Sequence, residues 1–220
     1  MKKLIRMFFA VTFLMSVGLP ACADKAEEFI QAARNGEMNV VKKLVKKVDE
    51  KVKEEALCAA LESHTVEDRH WDIASFLLDN GTNPNIRCGG YDYESNYTLV
   101  MGTMNGYFRD GYRGGPYEVD ISEVPLRTEV LRKAIKNGAN VDEKVLVTTD
   151  REDTALTLAI RGGDHARNAL IKILVSEGKP DLFLTCNGQT PVEVAADYHK
   201  WEIVEFLETE MNKQRRTEDN

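Results

Sequence analysis

Apolar residues along the chain recur at helical spacing, not at the alternation of a strand, and they come as pairs of short runs. Five first runs carry Phe29, Leu57, Leu99, Leu156 and Val192 at one slot. Each is followed three residues later by a small residue: Ala32, Ala60, Gly102, Ala159 and Ala195. Five second runs carry Val40, Ile73, Val130, Leu170 and Ile203, each with an apolar partner four residues on, at Leu44, Leu77, Ala134, Leu174 and Leu207. Residues three and four apart share a helix face, so the pattern predicts five helix pairs. Small side chains let stacked helices approach to about 8–10 Å, which is what the second slot is for. Glycines supply the punctuation. Gly36, Gly106 and Gly163 are expected to close first helices, and Gly81, Gly138 and Gly178 second helices, where a left-handed residue ends a helix without strain. A generic helical bundle also contains i, i+4 pairs, but it needs no such schedule of glycines.

The runs are repeats of one another. Thr154-Ala155-Leu156-Thr157-Leu158-Ala159-Ile160 and Thr190-Pro191-Val192-Glu193-Val194-Ala195-Ala196 stand 36 residues apart. Both resemble the ankyrin opening T-P-L-H-x-A. Leu77-Leu78-Asp79-Asn80-Gly81-Thr82-Asn83-Pro84-Asn85 is echoed by Ala134-Ile135-Lys136-Asn137-Gly138-Ala139-Asn140-Val141-Asp142, and both are similar to the ankyrin close L-L-x-x-G-A-x-x-N. The resemblance implies an all-α solenoid of about five helix-turn-helix units, over about 25–52, 53–88, 95–142, 150–184 and 187–211, within a repeat domain of residues 24–211. Unit one, with Lys42, Lys43, Lys46 and Lys47, and a charged tail over 212–220 suit the solvent-facing ends of such a stack.

Equivalent first-helix positions are 28, 42, 57 and 36 residues apart, whereas an ankyrin repeat has about 33. Insertions are therefore expected: a small one at Thr65–Arg69, a large one in unit three between Tyr97–Gly106 and Thr128–Asn137, and an extended turn over Val141–Asp153. The stretch Gly89–Tyr117 holds six of the seven tyrosines and seven of the fifteen glycines. Recognition loops favour that composition, since tyrosine offers a rigid amphipathic ring and glycine lets a loop adapt. The alternative for each ring is packing against the chain's own side with its hydroxyl in water.

Charge and composition narrow the function. With 43% hydrophobic and 30% charged residues, the chain is neither collagen, nor a disordered polyampholyte, nor a multi-span membrane protein. Residues 1–23 read as an export signal. Lys2, Lys3 and Arg6 precede the apolar Met7–Leu19, which at 13 residues is too short to span a bilayer, and Pro20 leads into Ala21-Cys22-Ala23. Cleavage after Ala23 frees Asp24; alternatively Leu19-Pro20-Ala21-Cys22 resembles a lipobox and leaves an acylated Cys22. The expected location is a bacterial periplasm or outer envelope. Removing the signal's three positive charges leaves 26 basic against 36 acidic residues, so no nucleic-acid partner is expected. The Arg109-Asp110-Gly111-Tyr112-Arg113-Gly114-Gly115 run has too few cations to change that.

No catalytic motif, cofactor signature or metal set is found. His64, His70, His165 and His199 have no ligand spacing; a weak hydrolase using His64 and His70 is the only enzymatic alternative. Of the thiols, Cys58 and Cys88 alone fall on neighbouring elements, and whether they pair stays open; Cys186 should lie too far from Cys88. The resemblance implies recognition of a protein partner through turn fingers and first helices. The residues expected to select it are Asn83, Asn85, Arg87 and Asp142 of the fingers, with Tyr91, Tyr93, Tyr107, Phe108 and Tyr112 of the insertion. Because the binder is acidic and tyrosine-rich, a partner with a basic or aromatic-accepting patch is expected. A monomer is expected, with membrane attachment only through Cys22. The second reading is an envelope protein that binds a small ligand or glycan through the tyrosines.

Overall fold

A computed structural model describes residues 21–61, 67–89, 96–105, 119, 121–148, 150–162 and 165–218. The helices are α1 (Ala21–Arg34), α2 (Met38–Leu44), α3 (Glu50–Leu61), α4 (Asp68–Asp79), α5 (Leu99–Asn105), α6 (Val124–Lys136), α7 (Ala155–Gly162), α8 (His165–Ile173), α9 (Pro191–Asp197) and α10 (Trp201–Glu218). First helices pack on first helices, α1 on α3, α5 on α7 and α7 on α9, while α2, α4, α6 and α8 pack one on the next as a row of second helices. The slots that the pattern singled out are buried at Phe29, Leu57, Leu99 and Leu156 and half-buried at Val192; all five small residues beside them are buried. Side chains of α1–α4 form one apolar cluster with Val130 and Ala134 of α6, and those of α5–α10 form a second.

The structure is mostly helical but not purely so. Two antiparallel hairpins project between units: β1 (Arg87–Gly89) with β2 (Asn96–Thr98), and β3 (Val145–Thr148) with β4 (Arg151–Asp153). The extended turn expected over Val141–Asp153 is the second of them. Two helix boundaries also differ: α5 starts only at Leu99, because Tyr97 pairs with Cys88 in the ladder, and α6 starts at Val124, ahead of the expected Thr128. The charged segment 212–218 is not a separate tail but the last turns of α10. Gln214 there reaches the finger at 180–182, donating to the Pro180 carbonyl at 2.7 Å and accepting from the Leu182 N–H at 3.3 Å.

Gly36, Gly81 and Gly138 take left-handed φ angles of 73°, 81° and 84°, as expected of helix closures. Gly178 does not. The end of α8 widens into a π-helical turn over Leu174–Gly178, which passes the left-handed position to Lys179 (φ 51°). Gly178 is instead needed for close approach, since a Cβ there would lie 3.2 Å from Val141 Cγ1 and 3.3 Å from Leu174 Cδ1. His199 closes α9 with φ 55°. Gly106 and Gly163, like residues 1–20 of the expected export signal, lie outside the described residues. Among the described residues no helix is long and apolar enough to cross a membrane.

Candidate functional site

The finger turns are built on short polar side chains that fold back on their own backbone. Asn83 Oδ1 accepts from the Asn85 N–H (3.0 Å), Asn140 Oδ1 from Asp142 (3.2 Å) and Asp181 Oδ1 from Phe183 (2.8 Å). A second set of bonds ties each finger to the preceding turn. Glu50 accepts from the Asn83 N–H at 3.0 Å, Asn85 Oδ1 from Asn140 at 2.6 Å, and Asp142 Oδ1 from Asp181 at 3.0 Å. Asn85 Nδ2 also donates to the Gly138 carbonyl at 3.0 Å. Burial pushes the Asp142 carboxyl above its usual range although the Asp181 N–H pulls the other way.

The finger residues named from the sequence thus have work inside the chain. Asn85 and Asp142 join one finger to the next, Arg87 pairs with Glu143 of the following finger (2.5 Å), and Asn83 Nδ2 donates to Glu54 of α3 (3.1 Å). Replacing Asn85 by alanine is expected to lower stability by about 1–2 kcal/mol, because two bonds between fingers are lost at once. An unchanged urea midpoint would argue that the finger bonds contribute nothing net. Tyr91, Tyr93, Tyr107, Phe108 and Tyr112 lie outside the described residues. Of that aromatic stretch only Tyr97 is described here, half-buried against the second cluster.

Asn83, Asn85 and Arg87 do come together, along one wall of a groove of about 560 Å³. Ile30 and Arg34 of α1, Lys51, Glu54, Glu55 and Cys58 of α3, and Ile86 complete it. Asp142 is not part of it. A disulfide between Cys58 and Cys88 holds the finger strand β1 against α3, with Cα atoms 5.3 Å apart; Cys186 is buried and unpaired. Farther along, the first helices close up. Every residue from Leu99 to Met104 and from Ala155 to Ile160 is buried, so α5 and α7 offer no comparable exposed face there.

Two places could suggest chemistry. His70 is 1% exposed, accepts the Glu67 N–H at Nδ1 (2.9 Å), which caps α4, and donates from Nε2 to the Arg34 carbonyl (3.1 Å), which joins α4 to the end of α1, so both ring nitrogens are committed. His64 lies outside the described residues. Ser75 Oγ lies 2.5 Å from Lys133 Nζ, the arrangement of a serine beside a basic lysine. Burial would lower the Lys133 pKa, but the Asp79 and Glu129 carboxylates at 2.6 and 2.9 Å outweigh it and raise it, so the amine stays protonated and cannot take a proton. Bonds from Ser75 and Lys133 hold the Glu129 carboxyl below its usual range. The group is a polar bridge between α4 and α6. Among the described residues no three His, Cys, Asp or Glu side chains cluster as a metal would require.

The ankyrin-repeat family model matches residues 126–217 in three copies. Residues 126–217 are ankyrin repeats. Ankyrin repeats indicate a protein–protein interaction module and are generally not catalytic. No curated protein matches the chain. The groove belongs to helix pairs that precede the matched span, and these carry the same left-handed closures and finger bonds as the pairs inside it.

Proposed function

We propose that this is an exported ankyrin-repeat solenoid of five units over about 25–211 that binds a protein partner and carries out no catalysis. The observation that carries the reading is the groove between α1, α3 and the β1 finger, which is open where α5 and α7 are closed. Its walls combine two isoleucines, two arginines and a lysine, and interface cores favour apolar contact beside arginine. The disulfide on its floor suits an oxidising compartment and so supports export, with cleavage before Asp24 or acylation of Cys22 as the two routes. The protein acts as a monomer, and in this reading the tyrosine-rich insertion extends the contact surface. Asn83 and Arg87 contribute as groove walls, Asn85 and Asp142 by holding the fingers in place.

A photoreactive residue placed at Glu55, in the groove, is expected to capture partner protein from envelope extract. The same residue at Glu208 on α10 should not. Equal capture from both positions would overturn the assignment of the groove.

A further inference from the structure

The groove's charges are unevenly committed, and that imbalance names a kind of partner. Its acids have donors. Glu54 accepts from the Asn83 amide, and beside the groove Glu50 accepts from the Asn83 N–H and from Lys53 (3.3 Å) while Glu143 holds Arg87. Glu55 faces Lys51 at 4.0 Å, the outer limit of an ion pair, with the lysine side chain 84% exposed. Arg34 differs from all of these. Its backbone carbonyl is fixed by His70, but its guanidinium makes no hydrogen bond or ion pair with any described residue while lining the groove. Beside it Ile30 and Ile86 provide apolar wall, and the Cys58–Cys88 bridge keeps the finger from closing over them or drifting away.

An uncommitted guanidinium is a fork of donors suited to a carboxylate, and next to an apolar wall it suits a carboxylate that neighbours an aliphatic side chain. We propose that the groove takes an extended segment of the partner in which an aspartate or glutamate reaches Arg34, with Lys51 as a second cation, while an adjacent aliphatic side chain rests on Ile30 and Ile86. The proposal builds on the groove being the docking site. It is the opposite of what the net negative charge of the chain suggests, because among the charged side chains that line this groove Arg34 alone has no hydrogen-bond or ion-pair partner among the described residues. Long-range steering by the net charge falls off over about 10 Å at moderate salt, so at contact the local guanidinium decides.

The test uses the mature protein with its disulfide intact and two fluorescein-labelled twelve-residue peptides on a Gly-Ser backbone, one carrying leucines and aspartates, the other leucines and lysines. The aspartate peptide is expected to bind and the lysine peptide to bind at least about tenfold more weakly. In Arg34→Glu the preference should reverse; the side chain is exposed, so the fold should survive, and Lys51→Glu should move binding in the same direction by less. Equal binding of the two peptides, an unchanged preference in Arg34→Glu, or no binding of the aspartate peptide up to about 1 mM would overturn the proposal. Crosslinking of the bound peptide separates its failure from that of the groove. Capture at Glu55 without dependence on the charge at position 34 overturns only the carboxylate, whereas capture at Glu208 overturns the groove.

Discussion

Reducing the Cys58–Cys88 bond, with nothing else changed, is expected to lower stability by about 3 kcal/mol. The bridge closes a loop between residues 30 apart, and the chain-entropy argument gives about 3–4 kcal/mol for a loop of that size. The loss should be felt first in the α1–α4 cluster, where both cysteines sit, Cys58 partly buried and Cys88 2% exposed. Trp71 is 2% exposed in that cluster and stacks under the Arg127 guanidinium, whereas Trp201 is 64% exposed in the last pair, so a blue-shifted emission component reports the first half of the molecule. Urea unfolding followed by that component, with and without a dithiol, measures the effect. The Cys58→Ala/Cys88→Ala double variant should reproduce it without reductant. Superimposable curves for oxidised and reduced protein would contradict the expectation.

The second large effect is at Asp153. This carboxylate is completely buried between two arginines, Arg151 at 3.0 Å and Arg161 at 3.1 Å. Arg161 continues the chain of contacts by stacking over Tyr198, 5.6 Å from its ring centroid, at the end of α9. Burial would lower the Arg161 pKa, but Tyr198 and Asp153 outweigh it and raise it, so the guanidinium remains charged at any ordinary pH. Asp153→Ala leaves that charge without its anion in a mostly dry site. Removing one partner of a buried pair costs about 3–5 kcal/mol; since Arg151 is 38% exposed and can turn to water, the low end is expected here. Asp153→Asn, which keeps the shape but not the charge, should recover part of the loss. A urea midpoint for Asp153→Ala within error of the parent would show that the arginines gain nothing from it.

Much of the fold could be read from the chain because a stacked helix pair must bury one stripe of each helix, and that requirement prints itself at three- and four-residue spacing. Leu57 with Ala60 and Ile73 with Leu77 are where the pattern placed them. Gly81 and Gly138 were legible because only a left-handed residue closes a helix so tightly. Gly178 misled because the π-helical turn adds a residue that no local preference announces. The hairpins escaped notice since strands of three or four residues are too short to show alternation. Thr98, whose Oγ1 accepts from the Met101 N–H at 3.2 Å, caps α5 as Thr190 caps α9, but its neighbours lack the proline and acid that mark the latter. The groove was only half visible. Asn83 and Arg87 stood out as polar finger residues, while Arg34 and Ile86 carry no local signal, since a lone arginine at a helix end is ordinary. The work of Asn85 was hidden for a different reason: its bonding partners lie 53 and 55 residues away.

The finger bonds have a mechanical consequence. Each joins a turn only to its immediate neighbour, from Glu50 to Asn83, Asn85 to Asn140 and Asp142 to Asp181, with Gln214 gripping the final link. The rim of the molecule is therefore a chain of couplings in series, stiff against shear between adjacent links yet free to accumulate small rotations along its length, and the covalent bridge at the second link is the anchor from which that bending is measured.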